Sequence, residues 1–340
     1  MAQNKKPKPR RSRKKTQTHA PKALNRPPRT DLAVHIDQLD EQTFRSVEVV
    51  ADRLLASMPD TPSIERLKLL SMKSNLLRAM VGTHRSIRRL TEFAEGEMDL
   101  SVDALPLTRM QLERCFLGLL IEDDPNRWPK RYRKNAWKAF AEKFFRDQQA
   151  VGHLDPFKEY FGSSGQGITF LREFAREMDV WEDELQTLRI QIQNDRRDPR
   201  WKTRHIADMP TPGRAMEKLQ DPTRLGLARL IYPYYDSLSH FSHGGLMGIM
   251  EAAILRGEGG DHVQERTALA RQINETALPL SYVSMLFVTT LFALPFVEEE
   301  DIRNTLLDSW KPYNASGSLL GITLWDNWAA ENLDQTDDQG

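Results

Sequence analysis

The strongest constraint on how this chain folds is Thr276–Val297, a long segment without a charged side chain. A segment of this length can cross a bilayer or lie at the centre of a helical bundle. Pro279 and Pro295 bracket an uninterrupted stretch that is too short for a span, and residues such as Ser281 and Thr289 dilute its apolar character. The sequence therefore predicts a buried central helix, with a single membrane span as the alternative.

The remainder of the chain has the periodicity of helices. Apolar residues recur at steps of three and four, as in Phe44, Val47, Val50 and Leu54. Alternating apolar strands and internal repeats are not found in the sequence. We expect an all-α fold, an antiparallel bundle or array of long helices that forms one domain over residues 36–330. Asp40 is expected to cap the first helix, and a loop is expected after Trp310.

Charge is segregated along the chain. Residues 1–30 contain eleven Lys and Arg residues, whereas every acidic residue lies at or after Asp31. The sequence predicts a disordered basic arm over residues 1–35 and a disordered acidic tail over residues 331–340. Lys14 and Lys15 are candidate phosphate contacts in the arm, and a merely solvating arm is the alternative. The arm lacks the apolar core of a secretory signal, and Cys115 is the single cysteine, so we expect a cytoplasmic protein.

The segment Tyr232–Gly245, YPYYDSLSHFSHGG, gathers the most chemically capable side chains. In a helix Asp236, His240 and His243 share one face. Three interpretations stay open: a transition-metal site, a phosphate-handling site with His243 as acid or base, or a polar lock between helices. Complete motifs of known enzyme classes are not found, and no cofactor is identified.

Arg109 and Glu113 lie four residues apart in the apolar segment LTRMQLERCFLGLLI. They can form an intrahelical ion pair. Because buried charges need partners, they can also face His243. In that site Arg109 would stabilise an anionic oxygen, while Glu113 or Asp236 would orient the imidazole.

Two segments mix basic and aromatic residues. Residues 127–138, RWPKRYRKNAWK, contain Arg131, Arg133 and Lys134, and residues 196–205 contain Arg200. Basic side chains bind phosphates, and exposed rings stack on bases. These four residues are therefore candidate nucleic-acid contacts. The alternative is that the Trp residues are buried anchors beneath a solvated charged face.

Arg109 and Glu113, followed by Tyr235, Leu238, Ser239 and His243, form a pattern that resembles uncharacterised all-helical bacterial proteins grouped as a domain of unknown function. The resemblance covers roughly residues 65–295 and implies an all-helical fold without an established activity. More distantly, Arg200-Trp-Lys-Thr-Arg-His205 is similar to the Arg-x(4–6)-His run of the HEPN helical ribonucleases.

Taken together, these patterns predict a nucleic-acid-associated protein of bacterial type, conceivably a ribonuclease-like effector. A non-catalytic interaction scaffold and a metal-dependent hydrolase are the alternatives from other classes. Nucleic acid is the expected partner, and a membrane partner is disfavoured.

Overall fold

The computed structural model describes residues 32–91, 98–151, 164–180, 206–242, 250, 253–255, 263–316 and 319–333. Every regular element in these ranges is a helix, which confirms the predicted all-α fold. The α-helices are α1 (Leu32–Ala56), α2 (Ile64–Thr91), α3 (Ala104–Asp123), α4 (Trp128–Val151), α5 (Ser164–Glu177), α6 (Pro212–Met216), α7 (Pro222–Ser242), α8 (Val263–Ala293), α9 (Glu300–Ser316), α10 (Leu319–Leu324) and α11 (Ala330–Leu333). Short 3₁₀ helices cover Met98–Asp103 and Leu294–Phe296, and a π-helical turn covers Trp325–Ala329.

Helix α8 is the centre of the molecule, as the uncharged segment that begins at Thr276 predicts. It packs against α1, α2, α3 and α9. Phe287 and Phe292 are fully buried in it. Where α3 crosses α8, a Cβ added at Gly118 would lie 3.4 Å from Val288 Cγ1, so the glycine permits a close approach. By length and composition Gln264–Phe296 could cross a membrane, but 89% of its most apolar window is buried inside the protein.

The first helix does not begin where the sequence predicts. Helix α1 starts at Leu32, so Asp40 lies inside the helix and the prediction that it caps the helix is wrong. The carboxylate of Asp40 is instead bound by α2 and α8, through His84, Arg88 and Tyr282. Tertiary partners therefore explain this acid better than local capping does.

The C-terminal portion contains more helix than the sequence predicts. Helix α9 continues to Ser316, and helices cover 319–333 where a loop was expected. Leu320, Leu324 and Trp328 are buried there and join the main core. Leu333, inside the predicted acidic tail, is also buried. Burial of these apolar side chains outweighs the helix-breaking effect of Pro312, which lies inside α9.

A second, smaller core lies between α4 and α5. Trp137 is fully buried in it, and its indole donates a hydrogen bond to the carbonyl oxygen of Leu171. Its other buried members are Ala141, Phe144, Leu171, Ala175, Val180 and Ile206. Helix α5 ends at Glu177, and Asp179 has a left-handed backbone with φ 59°. Residues 181–205 lie outside the described ranges.

The start of α7 is fixed to the end of α3. The carboxylate of Asp123 accepts hydrogen bonds from the backbone N–H groups of Gln220 and Asp221, at 3.1 and 3.0 Å. The carboxylate of Asp221 then accepts from the N–H of Arg224, at 2.8 Å, and caps the helix. These bonds hold α7 along α3, and this packing positions the candidate site.

Candidate functional site

The structure brings Arg109 of α3 against the helix of the histidine segment. Its Nη2 donates a 2.7 Å hydrogen bond to the Tyr235 hydroxyl, and its guanidinium lies 4.8 Å from the centre of the same ring. Arg109 Nε lies 3.4 Å from Glu113 Oε1, so the predicted intrahelical ion pair is present. Arg109 is largely buried and Glu113 is exposed. Arg109, Glu113 and Tyr235 therefore meet where α3 contacts α7.

The other members of the predicted site are placed differently. Asp236 is exposed, whereas Tyr235 beside it is buried against α3, because consecutive helical residues point about 100° apart. The structure does not bring Asp236 together with Arg109. The side chain of His240 and the whole of His243 lie outside the described residues. The predicted approach of His243 to Arg109 stays a prediction.

The described residues offer neither a metal site nor a reactive thiol. Among the described residues, no group of three His, Cys, Asp or Glu side chains is placed to hold a metal ion. Cys115 is buried, and its burial raises the pKa of the thiol to about 12. At neutral pH that thiol is protonated, and a protonated thiol is a poor nucleophile.

The two tryptophans of the first basic segment are anchors in the two cores, whereas its tyrosine, Tyr132, is 40% exposed. Trp128 lies in the main core, and Trp137 lies in the core between α4 and α5. Neither ring is available for stacking on a base. Arg131 covers the ring of Trp128, with its guanidinium carbon 5.3 Å from the ring centre.

The basic residues of this segment are largely engaged inside the protein. Arg133 is buried, and its Nε donates a 2.8 Å hydrogen bond to Asp179 Oδ2. Lys68 donates to the other oxygen of Asp179 at 2.5 Å. Burial opposes ionisation of Asp179, but the hydrogen bonds from Lys68 and Arg133 outweigh it and lower the pKa of the carboxyl. This cluster connects α2, α4 and the turn after α5.

Asp208 binds the next basic residues of α4. Lys138 Nζ donates to Asp208 Oδ1 at 2.7 Å, and Arg131 Nε donates to the Asp208 carbonyl oxygen at 3.1 Å. Lys134 is half-buried. Of the predicted nucleic-acid contacts, Arg131 and Arg133 therefore have partners within the protein. Lys14, Lys15 and Arg200 lie outside the described residues.

A polar cluster that the sequence does not predict lies inside the main core. His84 Nδ1 is 2.9 Å from Ser281 Oγ, and His84 Nε2 is 3.0 Å from Asp40 Oδ1. Arg88 Nη1 donates to Asp40 Oδ2 at 2.5 Å, and the hydroxyl of Tyr282 also donates to Asp40. Burial opposes ionisation of Asp40, but these partners outweigh it and lower the pKa of its carboxyl.

The order Ser281, His84, Asp40 has the connectivity of a hydrolytic triad. His84 and Ser281 are both 0% exposed, however, and Ser281 is also 3.3 Å from Gln111 Nε2 of α3. A nucleophile must reach its substrate, and this hydroxyl has no contact with solvent. The cluster therefore acts as a polar connection among α1, α2, α3 and α8.

One sequence signal could have located this cluster. His84 follows Leu77 by seven residues and Met80 by four, which places it on the apolar face of α2. A polar ring on that face must find buried partners. The identity of those partners depends on how α1 and α8 pack against α2.

Comparison with known proteins adds no further assignment. No protein-family model, curated protein or solved structure matches this chain significantly.

Proposed function

We propose that this protein binds nucleic acid through the phosphate backbone, with the basic arm of residues 1–30 as the main contact and the helical body as a platform. The observation that carries the proposal is the charge of the arm, which contains eleven Lys and Arg residues and no acid. Such a segment binds polyanions with an affinity that falls steeply as salt is added.

The contacts of α4 support this division of roles. Its basic residues were the competing candidates, but Arg133 is bound to Asp179, and Lys138 is bound to Asp208. A phosphate at these positions would have to displace a carboxylate that already binds the cation, the half-buried Asp179 or the exposed Asp208. The arm contains no acidic residue that could bind its cations, because the first acidic residue of the chain is Asp31. It is therefore the better source of phosphate affinity.

Deletion of residues 1–30 tests the proposal. Full-length and truncated protein would be titrated with the same RNA and DNA at several salt concentrations. The truncated protein is expected to bind more weakly and to show a shallower dependence of log affinity on log salt. Its melting temperature should be nearly unchanged. Equal affinities and equal slopes would contradict the proposal, and binding to anionic vesicles alone would assign the arm to membranes.

A substitution in α4 provides the matched comparison. Lys138→Ala removes one positive charge that is bound internally, so it should alter stability more than affinity. If Lys138→Ala weakens nucleic-acid binding as strongly as deletion of the arm does, the body and not the arm carries the interaction.

A second candidate function, ribonuclease-like cleavage, is favoured by one contact. The hydrogen bond from Arg109 to Tyr235 places a cation beside the helix that carries His240, and His243 follows the end of that helix. A positive group near an imidazole is one requirement for acid–base catalysis on a phosphodiester.

His243→Ala separates this candidate from a structural role. A catalytic role predicts that cleavage of RNA is lost while the unfolding curve is retained. A structural role predicts a loss of about 1–3 kcal/mol if a buried hydrogen-bond partner is left unpaired. The assay would include Mg²⁺, Mn²⁺ and Zn²⁺ in separate reactions, which also tests the metal-dependent alternative. Wild-type protein that cleaves no nucleic acid would leave the non-catalytic scaffold.

A further inference from the structure

The outer surface of α1 carries a row of acidic side chains. Glu41, Glu48 and Asp52 are exposed and lie seven and four residues apart, so they share one face of the helix. Arg45 is the only basic side chain exposed between Glu41 and Asp52. The opposite side of α1 is apolar and packs into the main core. We call this row the α1 acidic stripe.

The outer surface of α2 carries the opposite charge with the same spacing. Arg78, Arg85 and Arg89 are exposed and again lie seven and four residues apart. At a rise of about 1.5 Å per residue, each row is about 16 Å long. Helix α2 contains no Asp or Glu after Glu65. We call this row the α2 basic stripe.

The two stripes lie side by side on one surface. Arg78 Nη2 is 2.9 Å from Asp52 Oδ1, and the guanidinium of Arg85 lies 5.1 Å from the ring centre of Phe44 in α1. Helices α1 and α2 pack along each other, and the loop between them is short. The surface is therefore acidic on one half and basic on the other, over the same length.

The surface is also shaped for close contact with another helix. Small exposed residues, Ala79, Gly82 and Ser86, lie between the arginines, and a Cβ added at Gly82 would have no atom within 4 Å. At the start of α2, Ile64 is 70% exposed and Leu67 is 41% exposed. These two apolar side chains lie at the end of α2 remote from Gly82, so the open face around Gly82 is what permits the backbone of another helix to approach closely.

We propose that the α1–α2 surface binds a second copy of this chain, with the α1 acidic stripe of each copy against the α2 basic stripe of the other. A two-fold interface requires a self-complementary surface, because each copy presents the same patch. Two stripes of opposite charge and equal length meet this requirement. The proposal does not depend on the nucleic-acid function of the arm.

A nucleic acid is the competing occupant of the α2 basic stripe. Its phosphates would gain three arginines but would lie beside Glu48 and Asp52, which repel them. A second copy satisfies both stripes at once. For this reason the charges of the whole surface favour a protein partner of the same sequence.

Paired charge reversals test the proposal in the full-length protein. Glu41→Arg with Glu48→Arg reverses the charge of the α1 stripe, so that both stripes are basic. Arg85→Glu with Arg89→Glu reverses the charge of the α2 stripe, so that both stripes are acidic. By sedimentation equilibrium the wild type should be a dimer, and each variant alone should dissociate at least about tenfold more readily because like charges then face each other. A mixture of the two variants should regain the dimer, since opposite charges meet again in the mixed pair.

A substitution that leaves charge unchanged provides an independent test. Gly82→Leu should keep the fold, because space above Gly82 is open, yet it should weaken the dimer by blocking close approach. Gly226→Leu in α7 is the matched control, since a Cβ there also meets no atom within 4 Å. It should leave dimerisation unchanged.

Three results would overturn the proposal. They are a wild type that stays monomeric at low salt, a dimer that both charge-reversed variants retain, and variants that fail to associate when mixed. If Arg85→Glu with Arg89→Glu instead weakens nucleic-acid binding without changing the molecular mass, the α2 basic stripe binds nucleic acid.

Discussion

The two cores of this protein are both apolar but differ in size and in how they are joined to the rest of the fold. The main core surrounds α8, where Phe287 and its neighbours are removed from water. The core between α4 and α5 is smaller, and the carboxylate of Asp179 binds it to α2 through Lys68. The free energy gained from apolar burial scales with the buried area and responds weakly to pH. The ionic connection through Asp179 requires that its carboxyl group is ionised. The comparison teaches that the two regions should fail under different perturbations.

The largest expected effect is loss of the main core. Phe287→Asp places a carboxylate in a site with no contact with water, and an isolated buried charge is among the most destabilising changes known. We expect a loss on the order of 5 kcal/mol, enough to unfold the whole domain. Circular dichroism melts would measure it.

Phe170→Asp in α5 is the matched control, because Phe170 is 53% exposed. It should leave the main transition in place. Similar losses for the two variants would contradict the assignment of α8 as the centre of the fold.

A smaller and more local effect is expected at Asp179. Asp179→Asn removes the charge that pairs with Arg133 and Lys68, and Asn tolerates the left-handed backbone at this position. A broken buried ion pair costs about 3 kcal/mol. Hydrogen exchange should increase in α5 and in the second half of α4 and remain unchanged in α8.

The exposed Asp308 pairs with Lys311 within one helix turn, so Asp308→Asn is a suitable control. Its effect should stay within about 0.5 kcal/mol. Faster exchange throughout α8 in the Asp179→Asn variant would mean that the two cores unfold as one unit.

The pH dependence follows from the same carboxylates. The pKa values of Asp40 and Asp179 are both lowered in the folded protein, so the unfolded chain binds more protons as the pH falls. Their contribution to stability is complete above the unfolded pKa of about 3.9 and is lost as the pH falls through the folded values. Urea unfolding at a series of pH values should show this decline. In the Asp179→Asn variant the decline in stability should be shallower. An unchanged decline would contradict a contribution of Asp179 to the pH dependence.

The next effect concerns the polar cluster in the main core. His84→Ala removes one hydrogen-bond partner from Asp40 and one from Ser281, which should cost about 1–3 kcal/mol. Ser281→Ala removes the hydroxyl that contacts His84 and Gln111 and should cost about 1–2 kcal/mol. Neither substitution should impair nucleic-acid binding. If Ser281→Ala abolished a hydrolytic activity without loss of stability, the cluster would be a catalytic triad.

The sequence predicted the fold better than the site because helices are local and sites are not. Apolar spacing predicted the all-α fold, and absence of charge in Thr276–Val297 predicted that this segment is central. The helices after Trp310 were missed, since their formation depends on burial of Leu320, Leu324 and Trp328 against the main core. Likewise, Arg109 and Glu113 could be paired from their spacing.

The contacts that define the sites join residues far apart in the chain. Tyr235 lies 126 residues from Arg109, and Asp179 lies 46 residues from Arg133. Their pairing depends on how helices pack, which periodicity does not specify. For the same reason the sequence pattern predicted that Arg133 contacts nucleic acid, although its guanidinium is bound to the carboxylate of Asp179.

Native-state hydrogen exchange in increasing urea tests the central claim, that the two cores are separate cooperative units, most directly. The account predicts that amides in α5 exchange through an opening of lower free energy and smaller urea dependence than amides in the middle of α8. The smaller urea dependence reflects the smaller surface that opening of α5 exposes. A single opening free energy and a single urea dependence for both helices would contradict the account.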